Sequence, residues 1–235
     1  MTPRAPGRAD LTTTSPATGS SRDIRIGFLN DLLAPAERMM LSGVRPADID
    51  QALVAAGWSV GPFEAEDLLG VHHGGEARRQ AVGDRAGARR LIADRMIAEG
   101  RVGKIGGVGW YRYPGGGGAV IDPLIEDLIR EEAHFARLDW REDRLDAEAI
   151  VRRLVPAAIN AAYDAVERWR VSPETVDASL VSAPPFASPP GGFFTLARSY
   201  GAARCVEALD ELADAAPADE AALWRPGSAL RRAAA

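Results

Sequence analysis

The stretch Gly57-Trp58-Ser59-Val60-Gly61-Pro62-Phe63-Glu64 leaves the chain few choices. After Pro46-Ala47, Asp48 to Ala56 reads as a short helix stopped at Gly57. A second helix begins after the turn at Gly61-Pro62, with Glu64 near its positive end. Two short helices joined by such an elbow bring Trp58, Val60 and Phe63 together as an apolar wall. On these residues alone the wall is a corner packing its own aromatics or a surface offered to a ligand.

The rest of the chain reads as helices between glycine and proline breaks. Leu29, Leu32, Leu33, Ala36 and Met40 form one helical face that ends at Ser42-Gly43, and Pro35 is predicted to kink or break it. His72-His73-Gly74-Gly75 reads as a loop, and residues 78–99 as one amphipathic helix weakened by Gly83 and Gly87. Glycine density over 100–118 allows only a short extended segment carrying Trp110, Tyr111 and Tyr113. Asp122-Pro123 caps a helix with an Ile125, Leu128, Ile129 stripe, and residues 131–144 read as a charged linker with helical stretches. Asp146 caps the longest helix, which carries Ile150, Leu154, Ala158, Ile159, Ala162 and Trp169. A short helix starts at Pro173, an elbow follows at Ser188-Pro189-Pro190-Gly191-Gly192-Phe193-Phe194, and further helices run from Ala202 and Pro217.

The second half answers the first. Leu33-Ala34-Pro35 corresponds to Val155-Pro156, Pro46-Ala47-Asp48-Ile49-Asp50 to Pro173-Glu174-Thr175-Val176-Asp177, and Gly61-Pro62-Phe63 with Leu69-Gly70 to Gly191-Gly192-Phe193 with Tyr200-Gly201. The expected fold is mostly α: two tandem, duplicated helical units, at 24–118 and 119–235, behind a disordered tail at 1–23.

Composition narrows the function classes. The formal charge is -5 over 235 residues, which gives no argument for nucleic-acid binding. Cys205 is the single cysteine, so a disulfide framework and a cysteine metal site are excluded and a cytoplasmic setting is expected. No apolar run is long enough to span a bilayer. His72 and His73 point to different faces with no third ligand at helical spacing, so no metal is expected.

The elbow, read with Asp48-Ile49-Asp50 before it and Asp67-Leu68-Leu69-Gly70 after it, resembles the C-terminal domain of the 3-hydroxyacyl-CoA dehydrogenases. Further on, Gly100-Arg101-Val102-Gly103-Lys104-Ile105-Gly106-Gly107-Val108-Gly109-Trp110-Tyr111-Arg112-Tyr113 resembles that domain's other signature. The second half is similar to the corresponding region of multifunctional fatty-acid oxidation alpha subunits, which carry two such domains in tandem. There Ser182-Ala183-Pro184-Pro185-Phe186 stands in place of the family's glycine-rich portion. The resemblance covers residues 24–235 and implies a 6-phosphogluconate-dehydrogenase C-terminal-like helical fold.

The resemblance also implies a function. The family oxidises 3-hydroxyacyl-CoA to 3-oxoacyl-CoA with NAD in fatty-acid beta-oxidation, and its catalytic histidine and glutamate lie in a Rossmann domain. No strand, Gly-x-Gly-x-x-Gly turn and helix succession is found in this sequence, so no cofactor is expected on the chain alone. His72, His73 and His134 do not match the family's histidine. What the resemblance places here is Asn30, in Gly27-Phe28-Leu29-Asn30-Asp31-Leu32-Leu33, as an orienting hydrogen-bond donor. An Asn near a helix start that bonds its own backbone is the competing reading. Trp58, Val60, Gly61, Pro62 and Phe63 are the implied acyl-chain wall. Arg89-Arg90 and Arg231-Arg232 are weaker candidates for CoA phosphates. The expected partners are acyl-CoA and either a second copy or a Rossmann-domain protein supplying NAD. The alternatives are a non-catalytic scaffold descended from the enzyme and a truncated reading frame.

Overall fold

In a computed structural model, which describes residues 19–80, 90–138, 145–181 and 186–235, the chain is almost entirely helical. The first helix, α1 (Ser21–Leu41), is the axis of the molecule. Ser20 caps it with Asp23 in a reciprocal capping box, so the helix starts inside the stretch read as tail. Its buried residues fall on every side, from Ile24 and Phe28 through Leu33, Pro35 and Met40. A helix apolar all round belongs in a core, and α1 is wrapped by helices of both halves. It is continuous through Pro35, where a kink or a break was expected. Burial on all sides outweighs the lost main-chain hydrogen bond, an effect of about 3 kcal/mol in an isolated helix.

The first half continues through α2 (Pro46–Ala55), α3 (Pro62–Leu69), α4 (Val71–Gln80) and α5 (Leu91–Ala98). His72 to Gly75 are helical and not the loop expected, because Gly74 and Gly75 let α4 close onto its neighbours. The single helix predicted over 78–99 is instead α4 and α5, and Gly83 and Gly87 lie outside the described residues. The glycine-rich stretch forms two tight 3-10 turns and an antiparallel pair, β1 (Tyr111–Arg112) with β2 (Val120–Ile121). That pair is the only sheet among the described residues, so no parallel nucleotide-binding sheet is found there.

Asp122 caps α6 (Pro123–Phe135), and Asp146 caps α7 (Ala147–Trp169), both as expected. The far end of the expected linker, 139–144, lies outside the described residues. Then come α8 (Pro173–Val181), α9 (Phe193–Tyr200), α10 (Ala202–Ala215), α11 (Ala221–Trp224) and α12 (Ser228–Ala234). Of the stretch at 182–186 only Phe186 is described, and it is buried.

The two halves share a local device. Asp50 accepts from the main-chain nitrogens of Phe63 and Glu64, each at 2.9 Å, at the start of α3. Asp177 does the same for Phe193 and Phe194 at the start of α9, at 2.7 and 3.3 Å. In both, a carboxylate from the preceding helix caps the next one at its positive end. Both need glycine at the junction. A Cβ on Gly61 would stand 2.1 Å from Asp50 Cγ, and one on Gly192 would stand 2.5 Å from Asp177 Cγ. The two elbows also meet, since Ser59 donates its main-chain N–H to the Ser188 carbonyl at 3.0 Å.

Candidate functional site

The two sequence signatures of the first half are built into each other. The Asp67 carboxylate, at the end of α3, accepts the main-chain N–H groups of Trp110 and Tyr111 at 2.9 Å each and the Tyr113 hydroxyl at 3.0 Å. Tyr111 turns its own hydroxyl to Asp50 at 2.9 Å, tying the glycine-rich hairpin to the elbow. Gly109 makes the approach possible, because a Cβ there would fall 1.9 Å from Asp67 Oδ1. Arg101 closes the loop from below, donating to the Gly109 carbonyl and to Asp122, each at 2.7 Å. Burial pushes the Asp50 and Asp67 carboxyls up to about 7, against the hydrogen bonds that favour their charged forms. The Tyr111 and Tyr113 hydroxyls are raised by burial and by these carboxylates.

Beside this lies a buried ion cluster. Arg90 is fully enclosed and donates through Nε to Glu37 at 2.8 Å and through both Nη atoms to Glu66. Glu37 also accepts the Ile92 and Ala93 N–H groups at the start of α5, at 3.2 and 3.3 Å. Glu66 accepts the Trp110 indole N–H at 2.8 Å. Two carboxylates share one guanidinium out of water, so burial pushes Glu37 up to about 7.

Asn30 lies half-buried on α1, facing α4. Its Nδ2 donates to the Gly74 carbonyl at 3.2 Å, and its Oδ1 accepts from Arg78 Nη1 at 2.8 Å. These bonds run to another helix and not to its own backbone. The five elbow residues are all buried. Trp58 packs edge-on against Phe193 of the second half, centroids 5.4 Å apart, whereas Phe63 packs on Trp110 at 4.6 Å. The wall read from the sequence is therefore divided between two directions, each pointing into the core of the chain.

The remaining candidates are spoken for. Arg90 belongs to the ion cluster, Arg231 pairs with Asp210 at 2.6 Å and Arg232 with Glu167 at 3.5 Å. Arg89 lies outside the described residues. His72 and His73 stack with ring centroids 3.9 Å apart, and among the described residues no group of three potential ligands could hold a metal ion. In the second half, α7, α9 and α10 enclose a groove of about 570 Å³ whose lining includes Arg152, Arg153, Arg204, Glu207 and Glu211.

Sequence reading passed over Glu37, Glu66 and Arg78; it met Asp67 and Arg101 only as members of the two signatures and Arg90 only as a candidate for CoA phosphates. One signal was available: Tyr111 and Tyr113 sit two apart in a stretch expected to be extended, which aims both side chains the same way.

Residues 27–113 match the family described as 3-hydroxyacyl-CoA dehydrogenase, C-terminal domain. Over 212 residues the chain is 28% identical to the peroxisomal bifunctional enzyme of Danio rerio, covering 81% of this chain and 29% of that protein. The Cavia porcellus protein of the same name is 29% identical over 189 residues, covering 74% of this chain and 26% of its own length. The chain thus spans less than a third of these relatives. Among solved structures, 3-hydroxybutyryl-CoA dehydrogenase from Escherichia coli superposes with a TM-score of 0.60 at 18% identity, over 94% of this chain and 60% of that one. The dehydrogenase part of multifunctional enzyme 1 from C. elegans gives 0.53 at 18% identity, over 88% and 48%. These likenesses establish the helical fold.

Proposed function

We propose that this chain, whose residues 27–113 match the 3-hydroxyacyl-CoA dehydrogenase C-terminal domain, supplies the acyl-CoA-binding and dimerising half of such an enzyme, with NAD bound by a separate domain. The reaction is oxidation of a 3-hydroxyacyl-CoA to the 3-oxoacyl-CoA. The observation that carries the reading is the interlock at Asp67, where the two signature stretches of the domain hold each other in one fixed arrangement. Such a scaffold presents α1, and Asn30 on it, as a rigid edge for a partner domain.

Among the described residues nothing fits a dinucleotide: the strand, glycine turn and helix that would receive its pyrophosphate are lacking. NAD, held by the partner domain, supplies the hydride acceptor. Asn30 donates a hydrogen bond to the reacting oxygen or to the imidazole beside it, orienting a group that takes the proton elsewhere. The matching caps at Asp50 and Asp177 support reading the second half as a diverged copy of the first.

A second reading, a non-catalytic scaffold, is favoured by one observation: the implied acyl-chain wall is buried in the chain's own core. The experiment is NADH oxidation with acetoacetyl-CoA by the purified chain, alone and mixed with a Rossmann-domain candidate. Activity only in the mixture supports a divided enzyme. Silence in both, with no acyl-CoA binding by calorimetry, supports the scaffold.

A further inference from the structure

The Asn30 amide is not free to turn. A guanidinium carries only donors and a main-chain carbonyl only lone pairs. Arg78 Nη1 at 2.8 Å therefore requires the oxygen of Asn30 on its side, and the Gly74 carbonyl at 3.2 Å requires the nitrogen on the other. The two demands agree, which fixes the amide in one of its two flip states. One Nδ2–H and one Oδ1 lone pair remain beyond these two bonds.

Arg78 is itself held. Its side chain is 14% exposed, and its Nη2 donates to Asp94 on α5. Gly74 lets α4 come this close, since a Cβ there would stand 2.9 Å from Asn30 Oδ1 and 3.2 Å from Glu66 Oε1. Both partners of the amide lie on α4, and α5 holds one of them through Asp94, whereas an asparagine near a helix start commonly bonds its own backbone.

We propose that Arg78 is the positioning residue for Asn30: it locks the amide so that the remaining Nδ2–H points at the reacting oxygen, or at the imidazole beside it, in the assembled dehydrogenase. The inference rests on the role given to Asn30 above, but the lock itself is testable without activity. The chain has only two asparagines, Asn30 and Asn160, and two glutamines, Gln51 and Gln80, so its side-chain amide spectrum is sparse. Asn160 is an internal control, bonded to Asp164 and Gly227 on the far side of the fold.

In nitrogen-15 correlation spectra of the full chain, Arg78→Met should move the Asn30 amide pair and leave the Asn160 pair in place, while Arg78→Lys should move it less. An unmoved Asn30 pair overturns the proposal, whatever the activity proves to be. A displaced Asn160 pair would mean a disturbed fold, and Arg78→Lys then becomes the deciding variant. With NAD-domain activity reconstituted, Arg78→Met should lower kcat about tenfold or more with little change in KM, as misorientation of a reacting group does. On an Asn30→Ala background the same change should have no further effect. Additive losses would show that Arg78 acts apart from Asn30 and would overturn the proposal. Movement of the Asn30 signals with no activity in any mixture would count against the enzymatic reading alone.

Discussion

The indole nitrogen of Trp110 lies 2.8 Å from Oε2 of Glu66, at a point where neither residue meets solvent and where Arg90 holds the same carboxylate from the other side. Trp110→Phe keeps most of the packed ring and removes this one donor. It should lower the unfolding free energy by about 1–2 kcal/mol, the usual effect of losing a hydrogen bond to a buried charge. Trp110→Ala should lower it by about 3–5 kcal/mol because a cavity is added. Urea midpoints at unchanged slope would check both, and equal losses would show that the ring carries the whole effect.

Gly107 and Gly109 separate two reasons for glycine. Gly107 has φ of 76° with open space around its Cβ direction, so Gly107→Ala should cost only the left-handed backbone preference, about 1 kcal/mol. A methyl on Gly109 meets Asp67 Oδ1, and Gly109→Ala must break the bonds to Trp110 and Tyr111, at about 3 kcal/mol or more. Thermal midpoints should fall in that order. A Gly107→Ala protein as damaged as the Gly109→Ala one would refute the assignment.

The Glu37 carboxyl loses its proton near 4.5 in the unfolded chain and near 7 in the folded one. Between those values the folded state binds more protons, so stability is fully present below about 4.5 and falls as the pH rises toward 7. Asp50 and Asp67 act in the same direction. The urea midpoint should be higher at the acid end of this window, and Glu37→Gln should reduce the difference. A midpoint that climbs with pH over the same range would contradict the account.

Asp50 and Asp177 hold matching places but carry different loads. Asp50 is buried and serves two N–H groups and the Tyr111 hydroxyl, whereas Asp177 is half-buried and serves two N–H groups. Asp50→Ala should cost about 3 kcal/mol and Asp177→Ala about 1 kcal/mol, the ordinary range of a helix cap. Calorimetric melting of the two variants decides it, and the reverse order would sink the comparison.

How much of this was legible depended on sequence distance. The caps at Asp122 and Asp146 act two and three residues on, and both were readable. Asp50 lies near the start of its own helix, but its carboxylate closes the next one thirteen residues later, a distance that no local pattern reports. Arg90, Glu37 and Glu66 come from three elements and meet only in the folded chain. The helix at His72 to Gly75 was missed because glycine propensity argues against it, while the close approach to Asn30 and Ile97 that glycine permits is a tertiary effect. Asn30 was found by resemblance, but its partner Arg78 was not, since nothing in the sequence links an arginine on one helix to an amide on another.

Phe193, from the second half, rests between Phe28 and Trp58 of the first, at 4.6 and 5.4 Å, and α1 makes its most extensive contacts with α7. The stretch that matches the family ends at residue 113, before α7 begins. Severed there, α1 would keep α3 and α4 on one flank and turn Phe28 and its neighbours to water on the other. Residues 27–113 thus match a family without enclosing a core of their own. The end of the match runs through the middle of a single hydrophobic core, so that segment by itself should not melt cooperatively in a calorimeter.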